Sequence, residues 1–303
     1  MKTLLLGATG LVGSALNEVF AEEFEVIPVS HEKLEIFDYQ NLIELISDVK
    51  PELILNAAGR VAGIKGQIEK PADLIKSNAL ISINVARAAN ELEINNLIQF
   101  ASACVYPLDI PHPATPKDLG SGAIEPTSKS YAIAKILGIE IFSAYNKQYG
   151  RNWKTIIPSN IYGPRDWVHG EAGHVIGMLS EKFYLASKNG LGEVEIWGDG
   201  TARRNFLHVS DLALATKFVV ENSIGEEIIN VSSKEEVSVS QLATELKSIS
   251  GFEGNIKFDV QAPSGAKRKT IDDSILRSFG WSENLSFDVG LKTYFENYSK
   301  FMK

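Results

Sequence analysis

Short apolar runs alternate with amphipathic stretches along the first half of the chain, and this alternation restricts the fold more than any other feature. The runs are Thr3–Leu6, Glu25–Val29, Leu53–Asn56, Leu97–Ala101 and Thr155–Ile157. Between the first two, Leu11, Val12, Ala15, Leu16, Val19 and Phe20 share one helix face. The pattern is that of parallel βαβ units joined by right-handed crossovers, whose ligands bind beyond the carboxyl ends of the strands. Gly7-Ala-Thr-Gly10-Leu-Val-Gly13 falls at the first such strand end. Glycine there permits a tight turn and lets backbone N–H groups approach a pyrophosphate at the helix N-terminus. Such a loop can be a turn and nothing more, but its place directly behind the first strand favours a dinucleotide site.

After residue 163 the pattern loosens, with glycines at 163, 170, 173, 177, 190, 192, 198 and 200 separating short segments. A helical stretch, Val209–Glu221, follows a Phe206-Leu207-His208 strand and is placed back in the first domain. The fold expected is therefore α/β: a Rossmann-type doubly wound parallel sheet with a smaller mixed α/β C-terminal substrate lobe. The dinucleotide domain is assigned to 1–162 with about 205–222, and the substrate lobe to 163–204 and 223–303.

A net charge of −8 and a pI near 5.3 argue against non-specific nucleic-acid binding or an anionic membrane surface, both of which need a cationic footprint. The longest uncharged windows, Thr3–Asn17 and Ile94–Leu108, stop at fifteen residues, short of a membrane span. Met1-Lys2 before an apolar run could open a secretory leader, but Gly7, Gly10 and Gly13 interrupt it and a buried strand is preferred. One cysteine, Cys104, excludes an intrachain disulfide and a multi-cysteine metal site. These features suit a cytoplasmic protein.

The second strand ends Val29-Ser30-His31-Glu32-Lys33. An acidic tip would favour NAD, and basic residues favour the extra phosphate of NADP. With a neutral tip and His31 and Lys33 beside it, NADP (as NADPH) is the cofactor expected, while NAD stays open. The small residues of Asn56-Ala57-Ala58-Gly59 allow a cofactor to lie against the backbone. Asp38 could accept from an adenine amino group, or it could cap the helix that follows.

Tyr131-Ala-Ile-Ala-Lys135 puts a phenol and an ammonium on one helix face. A nearby cation stabilises a phenolate, which would bring the tyrosine into range for proton transfer near neutral pH. The lysine can also hold ribose hydroxyls. Ser102, just past the fourth strand, can bind a carbonyl oxygen beside the tyrosine. Ser102, Tyr131 and Lys135 together describe carbonyl reduction by hydride, with Tyr131 as the acid.

Taken together these residues resemble the extended short-chain dehydrogenase/reductase family. The nearest branch is the one that epimerises GDP-4-keto-6-deoxymannose at C3 and C5 and reduces C4 with NADPH. The likeness rests on Ser102-Ala-Cys104-Val-Tyr-Pro107, Glu125-Pro-Thr, Tyr131-Ala-Ile-Ala-Lys135, Tyr149-Gly-Arg and Pro158-Ser-Asn160-Ile-Tyr-Gly-Pro164. It continues through His174-Val-Ile, Trp197-Gly-Asp-Gly-Thr201 and Arg204-Asn-Phe-Leu-His208-Val-Ser-Asp211.

The resemblance implies that Cys104 is the base and His174 the acid on opposite faces of the sugar, a pairing that plain reduction does not need. A histidine and a helix N-terminus near Cys104 would favour its thiolate. The cofactor contacts it implies are Gly7, Thr9, Gly10, Leu11, Val12, Gly13, His31, Asp38, Ala57, Ala58, Tyr131, Lys135, Pro158 and His174. Asn160, Lys182, Trp197, Arg204 and Lys269 are the implied contacts of a GDP-linked keto sugar, with Arg203 and Lys267-Arg268 as further cations nearby. The family also implies a homodimer through helices of the first domain.

The chain departs from that family in several places. Arginines common in the glycine loop and after the second strand are replaced by Ala8-Thr9 and Val29-Ser30-His31. The loop Asp166-Trp-Val-His169-Gly-Glu-Ala-Gly173 is unlike the usual one, and Glu181-Lys182 stand where a basic pair is typical. A C4 reductase on another GDP-4-keto sugar, such as a heptose, is the alternative, and a non-catalytic NAD(P)-sensing module a distant one. A 4,6-dehydratase is disfavoured because Ala103-Cys104 occupy the place of its acidic pair.

Overall fold

The structure is a computed structural model that describes residues 1–32, 34–166, 174–222, 224–262 and 265–302. Its main sheet contains β1 (Lys2–Leu6), β2 (Glu25–Val29), β3 (Leu53–Asn56), β4 (Asn96–Phe100), β5 (Asn152–Pro158) and β9 (Ile228–Val231). The order is β2-β1-β3-β4-β5-β9 and every pairing is parallel. All four residues of β3 are buried. That is the signature of a strand covered on both faces, and it explains the unbroken apolar runs in the sequence.

Two layers of helix supply the cover. On one face α1 (Leu11–Phe20) and α7 (Val209–Glu221) place Leu16, Phe20, Leu212 and Val219 in a single core. On the other, α2 (Tyr39–Val49), α4 (Pro71–Glu91) and α5 (Lys129–Tyr149) bury Leu42, Ile46, Val85, Ala89 and Phe142. A short α3 (Ile64–Glu69) precedes α4. Asp38 is the N-cap of α2, its side chain accepting from the N–H groups of Gln40 at 2.9 Å and Asn41 at 3.3 Å. Of the two roles open to it, capping is the one observed.

The second lobe is built on β8 (Arg203–His208), flanked by β10 (Glu236–Ser238) and β12 (Arg268–Lys269), with β6 (Asn160–Tyr162) also paired to β8. A separate pair joins β7 (Glu193–Trp197) to β11 (Asn255–Asp259). Helices α6 (Val175–Lys188), α8 (Val239–Ser250) and α10 (Phe287–Phe301) enclose a core of Leu179, Phe183, Leu242, Leu246, Leu291 and Tyr294. The remaining helix, α9 (Ser274–Ser278), carries Leu276 into the first core instead, as does Trp281.

Several boundaries differ from the sequence reading: Asn160–Tyr162, assigned with 1–162 to the first domain, pairs with β8, and Leu276 and Trp281, assigned with 223–303 to the second lobe, pack into the first core. Ile228–Val231, assigned with 223–303 to the second lobe, closes the main sheet against β5. Its four residues are too few to show a period, and its partner lies about seventy positions away, so nothing local announces it. Phe206–His208, assigned to the first domain, pairs with β6 as the end of the second-lobe strand β8, although Leu207 and α7 behind it do pack in the first core with α1. Asp211, buried near the start of α7, accepts from the N–H of Asn284 at 2.9 Å and of Leu285 at 3.2 Å. Among the described residues no helix is long and apolar enough to cross a membrane.

Candidate active site

The carboxyl ends of β1, β3, β4 and β5 open onto a cleft of about 890 Å³ between the lobes. At one end the glycine loop is fixed by contact. Gly7 has φ +77°, and a Cβ there would stand 2.7 Å from the Ala58 nitrogen. A Cβ on Gly13 would lie 2.1 Å from the Gly7 carbonyl oxygen, so α1 can approach the turn only with glycine. Gly10 meets nothing closer than 3.6 Å and faces the cleft with Leu11, Val12, Ala57 and Ala58. A bare helix start, open space at Gly10 and small residues opposite fit a dinucleotide pyrophosphate.

Gly7 and Gly13 lie behind the cleft wall as supports. Thr9 is exposed, and its carbonyl accepts from Arg165 Nη1 at 3.3 Å. His31 is exposed, and neither it nor Asp38 lines the cleft. Lys33 is outside the described residues.

The middle of the cleft holds Ser102, Cys104, Tyr131, Lys135 and Pro158. Lys135 Nζ donates to the Phe100 carbonyl at 2.9 Å and stands 5.7 Å from the Tyr131 ring centre. It therefore anchors α5 to the end of β4 while facing Tyr131. Burial brings its pKa down from 10.5 to about 8. Tyr131 is buried and its phenol is pushed up, by desolvation first and by Cys104 second. The expectation that Lys135 would draw the phenol toward neutrality is thus corrected: desolvation dominates and Tyr131 stands as a neutral phenol. That form suits a proton donor.

Cys104 is buried in the short turn Ala103–Val105, beside Tyr131 and Ala132. Desolvation pushes its thiol up, opposed by Lys269, by a hydrogen bond with Ser102 and by Lys135. Neither the histidine nor the helix N-terminus expected to favour its thiolate does so. The turn is only three residues long, and His174 bonds elsewhere. The cations that act on Cys104 are the two lysines.

At the substrate end, β8 and β12 run in register with Arg203 opposite Arg268 and Arg204 opposite Lys269. Strand alternation sends successive side chains to opposite faces. Arg203 and Arg268 both pair with Glu236, at 3.0 Å and 2.7 Å. Arg204 and Lys269 line the cleft, and among the described residues neither has an ion pair. Arg204 donates to the carbonyls of Arg203 at 2.7 Å and Ala266 at 2.6 Å, and burial lowers its pKa to about 10. Two close cations that share only the more distant charge of Glu125 suit a diphosphate.

Asn160, Lys182 and Trp197 also line this end, with Lys182 Nζ donating to the Glu195 carbonyl at 2.8 Å. His174, at the N-terminus of α6, lines the cleft with its Nδ1 3.1 Å from Asp166 Oδ1. Burial alone would lower its pKa, but the Asp166 hydrogen bond and charge outweigh it and the net shift is upward. Of the loop before it, residues 167–173 lie outside the described set.

Three residues carry more than their motifs suggested. Glu125 is buried in the cleft wall and accepts from Thr127 Oγ1 at 2.6 Å, Thr127 N at 3.1 Å, Ser128 N at 3.1 Å and Ser128 Oγ at 3.0 Å. Burial raises its carboxyl, and the hydrogen bonds from Thr127 and the Ser128 hydroxyl, with the charge of Lys269, more than reverse that. Its position before Pro126 at a helical start is the available signal. Asp166 and Arg165 sit where a Gly163-Pro164 turn reads simply as loop.

Comparison with known proteins places this geometry. Residues 3–232 match the family model described as the NAD dependent epimerase/dehydratase family. "GDP-L-fucose synthase 1" of Arabidopsis thaliana is 37% identical over 301 residues, covering 99% of this chain and 93% of that protein. A solved GDP-6-OMe-4-keto-L-xylo-heptose reductase from C. jejuni is 26% identical at a TM-score of 0.91, with 100% of this chain and 98% of that one covered. The GDP-mannoheptose C4 reductase MlghC from Campylobacter jejuni, solved with NADP bound, is 27% identical at a TM-score of 0.87, covering 99% and 98%. With its glycine loop, its Ser102, Tyr131 and Lys135 and a match over more than two thirds of its length, the chain belongs to the NAD dependent epimerase/dehydratase family.

Proposed function

We propose that this chain is an NADPH-dependent GDP-4-keto-6-deoxymannose 3,5-epimerase/4-reductase that makes GDP-L-fucose or a closely related GDP-sugar. The observation that carries the reading is that Cys104 and His174 share one cleft with Ser102, Tyr131 and Lys135. A reductase alone has no use for the first two. The name of the Arabidopsis relative supports the substrate, and the NADP in MlghC supports the cofactor. The non-acidic tip of β2 and Arg165 against the glycine loop agree with NADPH. Cytoplasmic synthesis fits the chemistry, and pairing of two chains through α4 and α5 fits the exposure of Ile83, Ile133 and Leu137 on those helices.

NADPH, when bound at the glycine end, supplies the hydride that reduces C4. Arg204 and Lys269 hold the diphosphate, which carries the sugar C4 carbonyl to Ser102 and Tyr131. Both hydroxyls donate to that oxygen, acidifying the flanking C3 and C5 protons. Cys104, once deprotonated against the upward push of burial that Lys269 and Lys135 oppose, removes one of these protons as the thiolate, and His174 returns one from the opposite face. Each inversion leaves a thiol and a neutral imidazole, so both groups reset by exchange with water before the next. Tyr131 finally gives its proton to the C4 oxygen as reduction occurs, and Lys135 stabilises the phenolate left behind.

The test is incubation with the keto sugar in deuterated water without NADPH. Deuterium at C3 and C5 is the expected outcome. Reduction of a GDP-4-keto sugar with no exchange at either carbon would instead give the second reading, a C4 reductase, which the likeness to the two C. jejuni reductases favours.

A further inference from the structure

We propose that Asp166 is the positioning residue of His174, holding the imidazole through Nδ1 so that Nε2 is the nitrogen presented to the sugar. The inference rests on the reading of His174 as the proton donor in epimerisation.

Asp166 is 5% exposed and its backbone is held from three sides. Its N–H donates to the Gly163 carbonyl at 3.1 Å, and its own carbonyl accepts from the Tyr294 hydroxyl at 3.3 Å. Gly177 of α6 lies so close that a Cβ there would stand 3.1 Å from the same carbonyl oxygen. These contacts fix the backbone from which the carboxylate reaches His174.

The two carboxylate oxygens are used unequally. Oδ1 meets His174 Nδ1 at 3.1 Å, whereas Oδ2 is buried with no partner among the described residues. Asp211, a buried aspartate with a purely structural task, uses both of its oxygens on backbone N–H groups. Asp273, whose Oδ1 holds Arg277, also leaves its Oδ2 unpaired, and what sets Asp166 apart is that its bonded oxygen is spent on an imidazole that lines the cleft. His174 makes no side-chain capping bond at the start of α6, so its ring is turned to Asp166 and not to the helix.

A carboxylate on Nδ1 selects the tautomer and steadies the imidazolium, as carboxylate–histidine pairs do in other enzymes. The proton given to carbon leaves from Nε2. The Nδ1–H stays on Asp166 throughout, and water restores the Nε2 proton.

The experiment compares wild type, Asp166→Asn, His174→Asn and the double variant for deuterium incorporation at C3 and C5 without NADPH, with NADPH affinity measured alongside. Asp166→Asn is expected to slow exchange about 10–100-fold with NADPH affinity unchanged, and the double variant to be no slower than His174→Asn. If Asp166→Asn does not fold, Asp166→Glu, which keeps the charge but displaces it by one methylene, carries the same comparison. Exchange at the wild-type rate in the Asp166 variant, or independent multiplicative losses in the double variant, would overturn the proposal while leaving His174 as the acid. Undiminished exchange in His174→Asn would instead remove the reading of His174, and the proposal with it.

Discussion

Lys135 shows how far burial alone resets a side chain in this cleft. With its ammonium on the Phe100 carbonyl and its pKa brought from 10.5 to about 8, it loses charge as the pH rises through about 8. Reduction that needs the ammonium should decline through that range. In Lys135→Arg, where the charge does not titrate, the alkaline decline should vanish while the maximal rate drops about 10–100-fold from misplacement. A pH profile of kcat/KM for both forms measures this. The presence of Tyr131 and Lys135 on one face was legible from their spacing, because helical geometry is local. Their protonation was not legible. It depends on the desolvation that β4, the turn at Cys104 and the second lobe impose together, and none of these is local to α5.

At the scale of elements, the glycine loop separates two tasks that look identical in sequence. Gly13 is required by the fold, since its Cβ would overlap the Gly7 carbonyl, whereas Gly10 borders open cleft. Gly13→Ala should therefore lower stability by about 1–3 kcal/mol. Gly10→Ala should leave the melting temperature near wild type but weaken NADPH binding, because its methyl stands where the pyrophosphate would lie. Thermal denaturation and cofactor titration of the pair distinguish the tasks. Strands β1 to β5 were readable to within a few residues, because buried parallel strands are unbroken apolar runs. The division of four cations by β8 and β12 was not. Alternation sorts Arg203 and Arg268 from Arg204 and Lys269 only once the partner strand and Glu236 are known.

Across the whole molecule, Asp211 links α7 to the segment at Asn284 and Leu285 that leads into α10, and so ties one lobe to the other. Asp211→Ala leaves two backbone N–H groups unpaired and should cost about 1–3 kcal/mol, read as a midpoint shift in denaturant. Asp211 is legible from sequence as part of a family motif, but its task becomes visible only through contacts more than seventy residues away. The same interleaving governs how the molecule could be taken apart. The chain leaves the main sheet after β5, returns for α7 and again for β9, and sends Leu276 and Trp281 back into the first core. No single stretch of chain corresponds to the sugar-facing half. Exchange of that half between related enzymes by one contiguous cassette would carry off the edge strand that seals β5. New sugar preferences in this architecture are therefore reached more readily by point substitutions along the cleft wall than by shuffling of segments.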